Sequence, residues 1–452
     1  MAEYKKKNVK KIKLNKATPA VKKQKPIKAN KPQKVEMKPA KTVAPKPKKV
    51  VKSAPKKTGE VKQKVSKKET NYVQYNVIIG EKAKQAAKKL KKFTFVAIII
   101  AAIVIASLLT PTGIFETLHN AYLSIGSADF PRELTGSQTV SSEYRNDKLY
   151  VITDMAYTVY NSKGKTIMSD THGFSKPFMK VADARTLLLD QNGGSYKIYN
   201  LNGTVVTQSI TDNIITGDIS RNGTYAIVSK PPDYAAKVDI YSKNNKLLFS
   251  WSSSKEIVTA VCLSNNGKKV AVSTIYSNAG EYTSKVYVFN YKNASPIMTI
   301  SYDQPVLYLK TLNASSFVSI TAKKLDFVKW GSLKTTSVET EGNIKDFRYI
   351  SSSEFLVSCE SSMNNLETMC TVYNSRFEPT FSALFAGSAE DVSFIGNRLF
   401  CFDDNITYVI NKEGNTVGTA ECGYSVRHIF AKNGNSLLAV SDTEVRKVVV
   451  ED

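Results

Sequence analysis

An all-β fold is what this sequence predicts: a β-propeller of four-stranded blades, preceded by one transmembrane helix and a disordered Lys/Pro-rich tail. Three observations predict it. A stretch of 23 residues without a charge, 93–115, divides the chain. Before it lies a lysine-rich polycation, and after it one strand-and-turn phrase recurs at a period near forty residues.

The uncharged stretch opens FTFVAIIIAAIVIASLL over 93–109, and eleven of those 17 residues are Ile, Leu, Val or Phe. As a helix rising 1.5 Å per residue it spans about 34 Å, enough for a hydrocarbon core about 30 Å thick. A few tenths of a kcal/mol for each apolar residue favours insertion by roughly 3 to 5 kcal/mol. A buried core helix is the plainer alternative, but such helices rarely run this far without a charge. The 92 residues upstream are too many for the basic region of a cleaved signal, so the stretch reads as an anchor.

The net charge of +25 is distributed unevenly. Residues 1–92 hold 31 Lys, no Arg and 5 acids, a charge of +26, which leaves 25 − 26 = −1 for the rest. Lysines crowded ahead of an apolar helix predict that this side stays in the cytoplasm and that 116–452 lies outside the cell, a single-pass type II arrangement.

Residues 1–71 reiterate phrases such as KPQKVEMKP and APKPKK and contain seven of the fifteen prolines. Such a segment has too little apolar surface to offset its ordering entropy and reads as disordered. It serves either as a solvated spacer or as an arm for anionic lipid headgroups or, nonspecifically, nucleic acid. The absence of Arg and of interleaved aromatics argues against base-specific recognition. In the juxtamembrane segment 72–92, YVQYNVIIG forms an apolar interruption and EKAKQAAKKLKK a helix. That helix puts Lys88, Lys89, Lys91 and Lys92 at headgroup level. Pro111 and Gly113 weaken the helix beyond the anchor, and 116–131 is a connector.

From 132 to 452 the periodicity becomes alternating, with short Val/Ile/Tyr/Phe/Thr runs between Asn-Gly, Asn-Asn and Ser turns. One phrase ends a strand and opens a turn, as in Val159-Tyr160-Asn161-Ser162-Lys163-Gly164 and Ile198-Tyr199-Asn200-Leu201-Asn202-Gly203. A second precedes it, as in Ile219-Ser220-Arg221-Asn222-Gly223 and Leu263-Ser264-Asn265-Asn266-Gly267. Asn-Gly supplies the positive φ that tight hairpins need. The phrases mark units beginning near 140, 178, 215, 257, 305, 344, 390 and 424. Four strands per unit at this period is the propeller signature, with eight blades favoured over seven. The last unit has room for only three strands, so 132–138 is expected to supply the fourth and close the ring.

The Ser-Asn-Asn-Gly-Lys-Lys-Val-Ala run from Ser264 resembles the blade motif of TolB-like propellers, and the repeats resemble WD-repeat-like and quinoprotein-like ones. The Trp-Asp dipeptide of true WD repeats is absent, since Trp251 precedes Ser and Trp330 precedes Gly. The whole layout resembles an uncharacterised family of membrane proteins from clostridia-like Gram-positive bacteria. That resemblance implies an architecture and a location rather than a reaction.

No catalytic, metal or cofactor pattern stands out, and no cofactor is expected. The three histidines, His119, His172 and His428, are scattered and read as incidental. Cys359 and Cys370 flank a hairpin loop, where either a disulfide or two free buried thiols would fit. The loops that vary are those joining the second and third strands of a unit, and they carry Tyr234, Tyr276 and Tyr282 as candidate contacts.

The expected function is therefore a non-enzymatic, membrane-anchored binding or scaffold module. It would sit on the lipid bilayer and take an envelope polymer or a protein partner. A hydrolase or lyase with a site in the propeller channel is one alternative, and polyanion binding by the lysine tail is another.

Overall fold

The computed structural model describes residues 67–109 and 114–451, apart from Ala184, Ala279, Leu333, Ser352 and 362–365. Most of the tail expected to be disordered, 1–66, lies outside the described residues, as do 110–113 within the expected span. Helix α1 runs unbroken from Lys67 to Leu109. The apolar interruption expected at 72–80 is therefore helical, because no proline falls between Pro55 and Pro111 to force a break. Among the described residues no helix is long and apolar enough to cross a membrane. Between Leu90 and Ile105 the large apolar side chains of α1 stand exposed, Phe93 at 71% and Ile98 at 66%.

A second helix, α2 (Ile114–Leu123), opens the connector. Beyond it the chain folds into eight four-stranded antiparallel sheets, the blades of a β-propeller. Blade 1 consists of strands a to d, from axis to rim: Thr139–Arg145, Lys148–Thr153, Ala156–Asn161 and Thr166–Thr171. The a strands of blades 2 to 4 are Pro177–Ala182, Asn213–Ile219 and Ile257–Leu263. Those of blades 5 to 8 are Tyr308–Thr311, Ile344–Tyr349, Asp391–Ile395 and Val426–Asn433. Each begins within three residues of the expected unit start.

There is no single core. Eight apolar clusters each fill the wedge between two neighbouring blades. Val228 and Val238 of blade 3 meet Val261 and Val270 of blade 4, for example. The repeated turn phrases also touch. Asn222 Nδ2 donates to the Asn266 carbonyl at 2.8 Å. Gly267 sits beside it at φ 61°, where a Cβ would come within 2.4 Å of the Asn222 Oδ1, so the close approach of two turns requires glycine.

The ring closes through both ends of the chain. In blade 8 the order is Arg132–Glu133, Glu444–Val449, Ser436–Ser441, Val426–Asn433, so the N-terminal strand is the rim strand of the last blade. The expected segment 132–138 does close the ring, but its ladder is only two residues long. Leu134 continues it with one bond to the Thr443 carbonyl and buries its side chain among Leu438, Val440 and Val445. Thereafter Thr135 and Ser137 are held by Thr153 and Asp154 of blade 1, which pulls 135–138 off the blade-8 ladder.

Strand direction puts the a–b and c–d turns on one face and the b–c and d–a connections on the other. The chain enters on the first of these. Glu116 of α2 pairs with Arg185 at 3.3 Å, and His119 Nε2 lies 2.7 Å from Asn202 Oδ1. Asn161 Nδ2 donates to the carbonyls of Ser124 and Gly126 at 2.9 and 2.7 Å. Lys165 Nζ bonds the Ile125 carbonyl at 2.6 Å. That is the side the rim strand requires, since it runs antiparallel to Glu444–Val449 and so from this face toward the other.

Candidate functional site

Two places can do chemistry or bind, the axial channel and the b–c/d–a face. Along the channel, seven of the eight a strands carry a charged side chain; blade 4 offers Cys262 instead. Several of these groups stitch one blade to the next. Asp391 (blade 7) accepts from the Ile429 amide of blade 8 at 2.6 Å and pairs with Arg348 of blade 6. Arg348 also donates to the Val392 carbonyl at 2.6 Å and the Ile429 carbonyl at 3.2 Å. Asp218 (blade 3) accepts from the Leu263 amide of blade 4 at 2.8 Å, and Arg145 (blade 1) donates to the Val181 carbonyl of blade 2 at 2.9 Å.

Burial alone would raise the Asp391 carboxyl, yet Arg348 and His428 hold it below the usual carboxylate range. The carboxyl of Asp218 lacks such a neighbour at bonding distance and is pushed up to about 6 by burial. Lys310 (blade 5) faces the opposite penalty. Burial, reinforced by the like charge of Lys180, brings its ammonium down to about 8.

Lys310 therefore carries a stability test. Between pH 8 and 10.5 the unfolded chain holds a proton on this residue that the folded chain has lost, so stability rises with pH across that window. Below it the buried charge is a net cost. Lys310→Met should raise stability at pH 7 by about 2 kcal/mol, and the gain should shrink above pH 8. Denaturant titrations at pH 7 and pH 9.5 check this; equal gains at both would show that the charge is not the cause.

His172 and His428 have close polar neighbours in this setting. His172 bonds the Thr153 carbonyl at 3.0 Å and accepts from the Phe174 amide at 2.9 Å, so both ring nitrogens are engaged. His428 Nδ1 stands 3.8 Å from Asp391 Oδ2 in the channel. The channel charges were missed in the sequence, although the signal was present. Once the unit starts are known, a charge inside an otherwise apolar first strand, as in FMKVA or ITGDI, marks an axial position.

On the b–c/d–a face, Tyr234 lies in the b–c connection of blade 3 and is 46% exposed. Tyr276 and Tyr282 are not in a loop. They belong to ten-residue strands, Lys269–Asn278 and Glu281–Asn290, that pair through to Asn278↔Glu281. The flanking strands stop at Ile275 and Ser284, so the tip stands as a two-stranded arm. Alternating Tyr, Thr and Ser favour strand over loop here. Tyr276 opposes Thr283 and Tyr282 opposes Ser277, which sends the two tyrosines to opposite sides of the arm. Tyr282 is 64% exposed and Tyr276 half-buried.

Cys359 and Cys370 are both free and buried. Cys359 opposes Met369 while Ser358 opposes Cys370, so the two sulfurs leave opposite faces of the sheet and no disulfide joins them. Lys88, Lys89, Lys91 and Lys92 are exposed on α1. Among the described residues no cluster of His, Cys, Asp and Glu could hold a metal ion.

No curated protein matches the chain. Among solved structures it is similar to BamB from Moraxella catarrhalis, at 11% identity and a TM-score of 0.46, over 71% of this chain and 95% of that one. It is also similar to Sqt1 from Saccharomyces cerevisiae, at 13% identity and 0.49, over 72% and 100%. The C-terminal WD40 domain of Sif2 is similar at 11% identity and 0.49, over 72% and 100%. At these identities the likeness says nothing about ligands. The family match is of another kind, since it takes in the whole ring from just ahead of the closing strand to the last strand of blade 8. Over residues 128–450 the chain matches, and so belongs to, the family of unknown function DUF5711.

Proposed function

We propose that this protein is a single-pass membrane protein with a cytoplasmic lysine tail and an extracytoplasmic propeller. The propeller acts as a non-catalytic binding or scaffold module for an envelope polymer or a partner protein. The observation that carries the reading is where exposed apolar side chains fall. Met155, Tyr234, Leu307 and Tyr424 stand exposed in the b–c and d–a connections. Ile257, Tyr282 and Tyr308 join them at the adjoining strand ends, Tyr308 at 57% exposure. On the a–b/c–d side the comparable residues of the propeller, among those described, are Ile297 in a turn and Leu247 and Val449 at strand ends, none of them aromatic. An apolar and aromatic surface turned away from the side on which the chain enters is suited to a partner. In the channel, the backbone bonds of Asp218 and Asp391 favour binding over a hydrolase or lyase, which needs carboxylates free to exchange protons with substrate.

A photo-crosslinking residue at Tyr282 should give a discrete adduct in intact cells, and the same residue at Lys243, in a c–d turn, should not. Absence of an adduct at Tyr282, or the same adduct at both positions, would remove the loop face as the binding surface. The orientation is tested separately. Protease added to intact cells should digest the propeller and spare an N-terminal tag, because 31 lysines precede the apolar stretch. Digestion of the tag would reverse the topology.

A further inference from the structure

The near-neutral total of the region after the anchor conceals two oppositely charged faces. Among the described residues the a–b and c–d connections hold ten basic and four acidic side chains, a net +6. The b–c and d–a connections hold three basic and ten acidic, a net −7. Turn composition cannot produce this, because both faces are made of turns. The basic side chains stand in water. Lys163, Lys243, Lys246, Lys268, Lys292 and Lys334 are exposed, and among the described residues none has a carboxylate within ion-pair distance. Arg221 alone of the exposed set is paired, with Asp183.

An independent observation concerns the same face. Helix α2 and 124–131 lie on it, held by Arg185, Asn202, Asn161 and Lys165, and the apolar run of α1 ends at Leu109, five residues before Ile114. A face tethered this closely to an apolar helix is the one a bilayer would meet. From this, resting on the anchored reading above, we infer that the a–b/c–d face of the propeller docks on the anionic headgroups of the membrane holding the anchor. The acidic, aromatic face is then directed outward. Screening limits the attraction to about 8 Å at physiological salt, so the turns must approach the headgroups closely for it to act.

The test uses the full chain reconstituted in lipid nanodiscs. The five native cysteines are buried, so a thiol dye goes to one added site. Asn244→Cys labels a c–d turn and Ser254→Cys the opposite face, with the seven-residue strand Leu247–Ser253 holding them about 24 Å apart. Energy transfer to a headgroup acceptor should be strong from position 244 and weak from 254 in discs containing phosphatidylglycerol. It should fall by roughly half from 244 in pure phosphatidylcholine, or when Lys243, Lys246, Lys292 and Lys334 are all changed to Gln.

Equal transfer in both lipids would overturn the inference. So would release of the label from acidic discs by soluble polyphosphate, which would assign the face to an anionic polymer instead. Loss of the chain from the discs in 1 M NaCl would overturn the anchor and this inference with it. That failure is read by co-sedimentation rather than by transfer, so the two are told apart.

Discussion

A chain beginning at Val140 should melt roughly 5 to 10 °C below one beginning at Asp129, taking about 1.5 °C per kcal/mol for a domain of this size. The shorter form loses the rim strand of blade 8 and the Leu134 side chain, which is 8% exposed within the cluster of Tyr160, Leu438 and Val445. Burying one leucine contributes about 2 kcal/mol, and half-buried Phe130 in the same cluster adds to it. The Arg132 bond to the Gly164 carbonyl at 3.0 Å and the two pairings with Val445 and Glu444 are lost as well. The edge of Glu444–Val449 would then be unpaired and open to association. Thermal scans at two protein concentrations read both effects; equal melting temperatures would mean that the N-terminal strand contributes nothing to closure.

The second large effect belongs to the channel. Arg348→Ala removes the cation shared by blades 6, 7 and 8 and leaves Asp391 buried with only the Ile429 amide and a distant histidine. Breaking one side of such a buried pair costs about 3 to 5 kcal/mol. The pH dependence identifies the cause. In the native protein Asp391 titrates below its ordinary value, so its contribution is present above about pH 4 and is lost as pH falls through the folded value. Without Arg348 the buried carboxylate is a liability at pH 7 that protonation relieves. The stability gap between variant and parent should therefore narrow from pH 7 toward pH 3, as denaturant titrations would record. Arg348→Lys should fall between the two, keeping the charge but not the planar fork. A gap unchanged with pH would assign the loss to packing instead.

Much of the ring was legible because its signal is local. Asn-Gly and Asn-Asn turns fix where several hairpins reverse, and the repeated strand-and-turn phrases placed every blade to within three residues. Closure was legible from counting strands, since the eighth unit shows three of its own, 426–433, 436–441 and 444–449, and the first has four without 132–138. The failures were non-local. In SNAGEY the turn residues Asn, Ala and Gly hide the strand preference of the flanking Tyr, Thr and Ser, and that the strands stand out as an arm depends on where their neighbours stop. For Cys359 and Cys370 the sequence left a disulfide and two free thiols open, and pleat parity, which sends them to opposite faces, decides for the thiols. The channel charges, and the opposite sign of the two faces, emerge only when eight separate segments are summed around an axis.

The docking of α2 ahead of the closing strand has a mechanical meaning. A propeller tethered through its rim strand is vulnerable, because tension on the tether would reach a two-residue ladder and peel the ring open at its seam. Here the tether is gripped first. Glu116, His119 and the carbonyls of 124–126 are fastened to the turns of blades 1 and 2, and the Lys163 carbonyl takes the amides of Ala128 and Asp129. Several bonds at about 1 kcal/mol each must shear together before any load passes to Arg132 and Glu133. The connector works as a strain relief, as the clamp on a cable spares its plug, and a pull on the chain ahead of Ile114 is delivered to the body of blades 1 and 2 rather than to the seam.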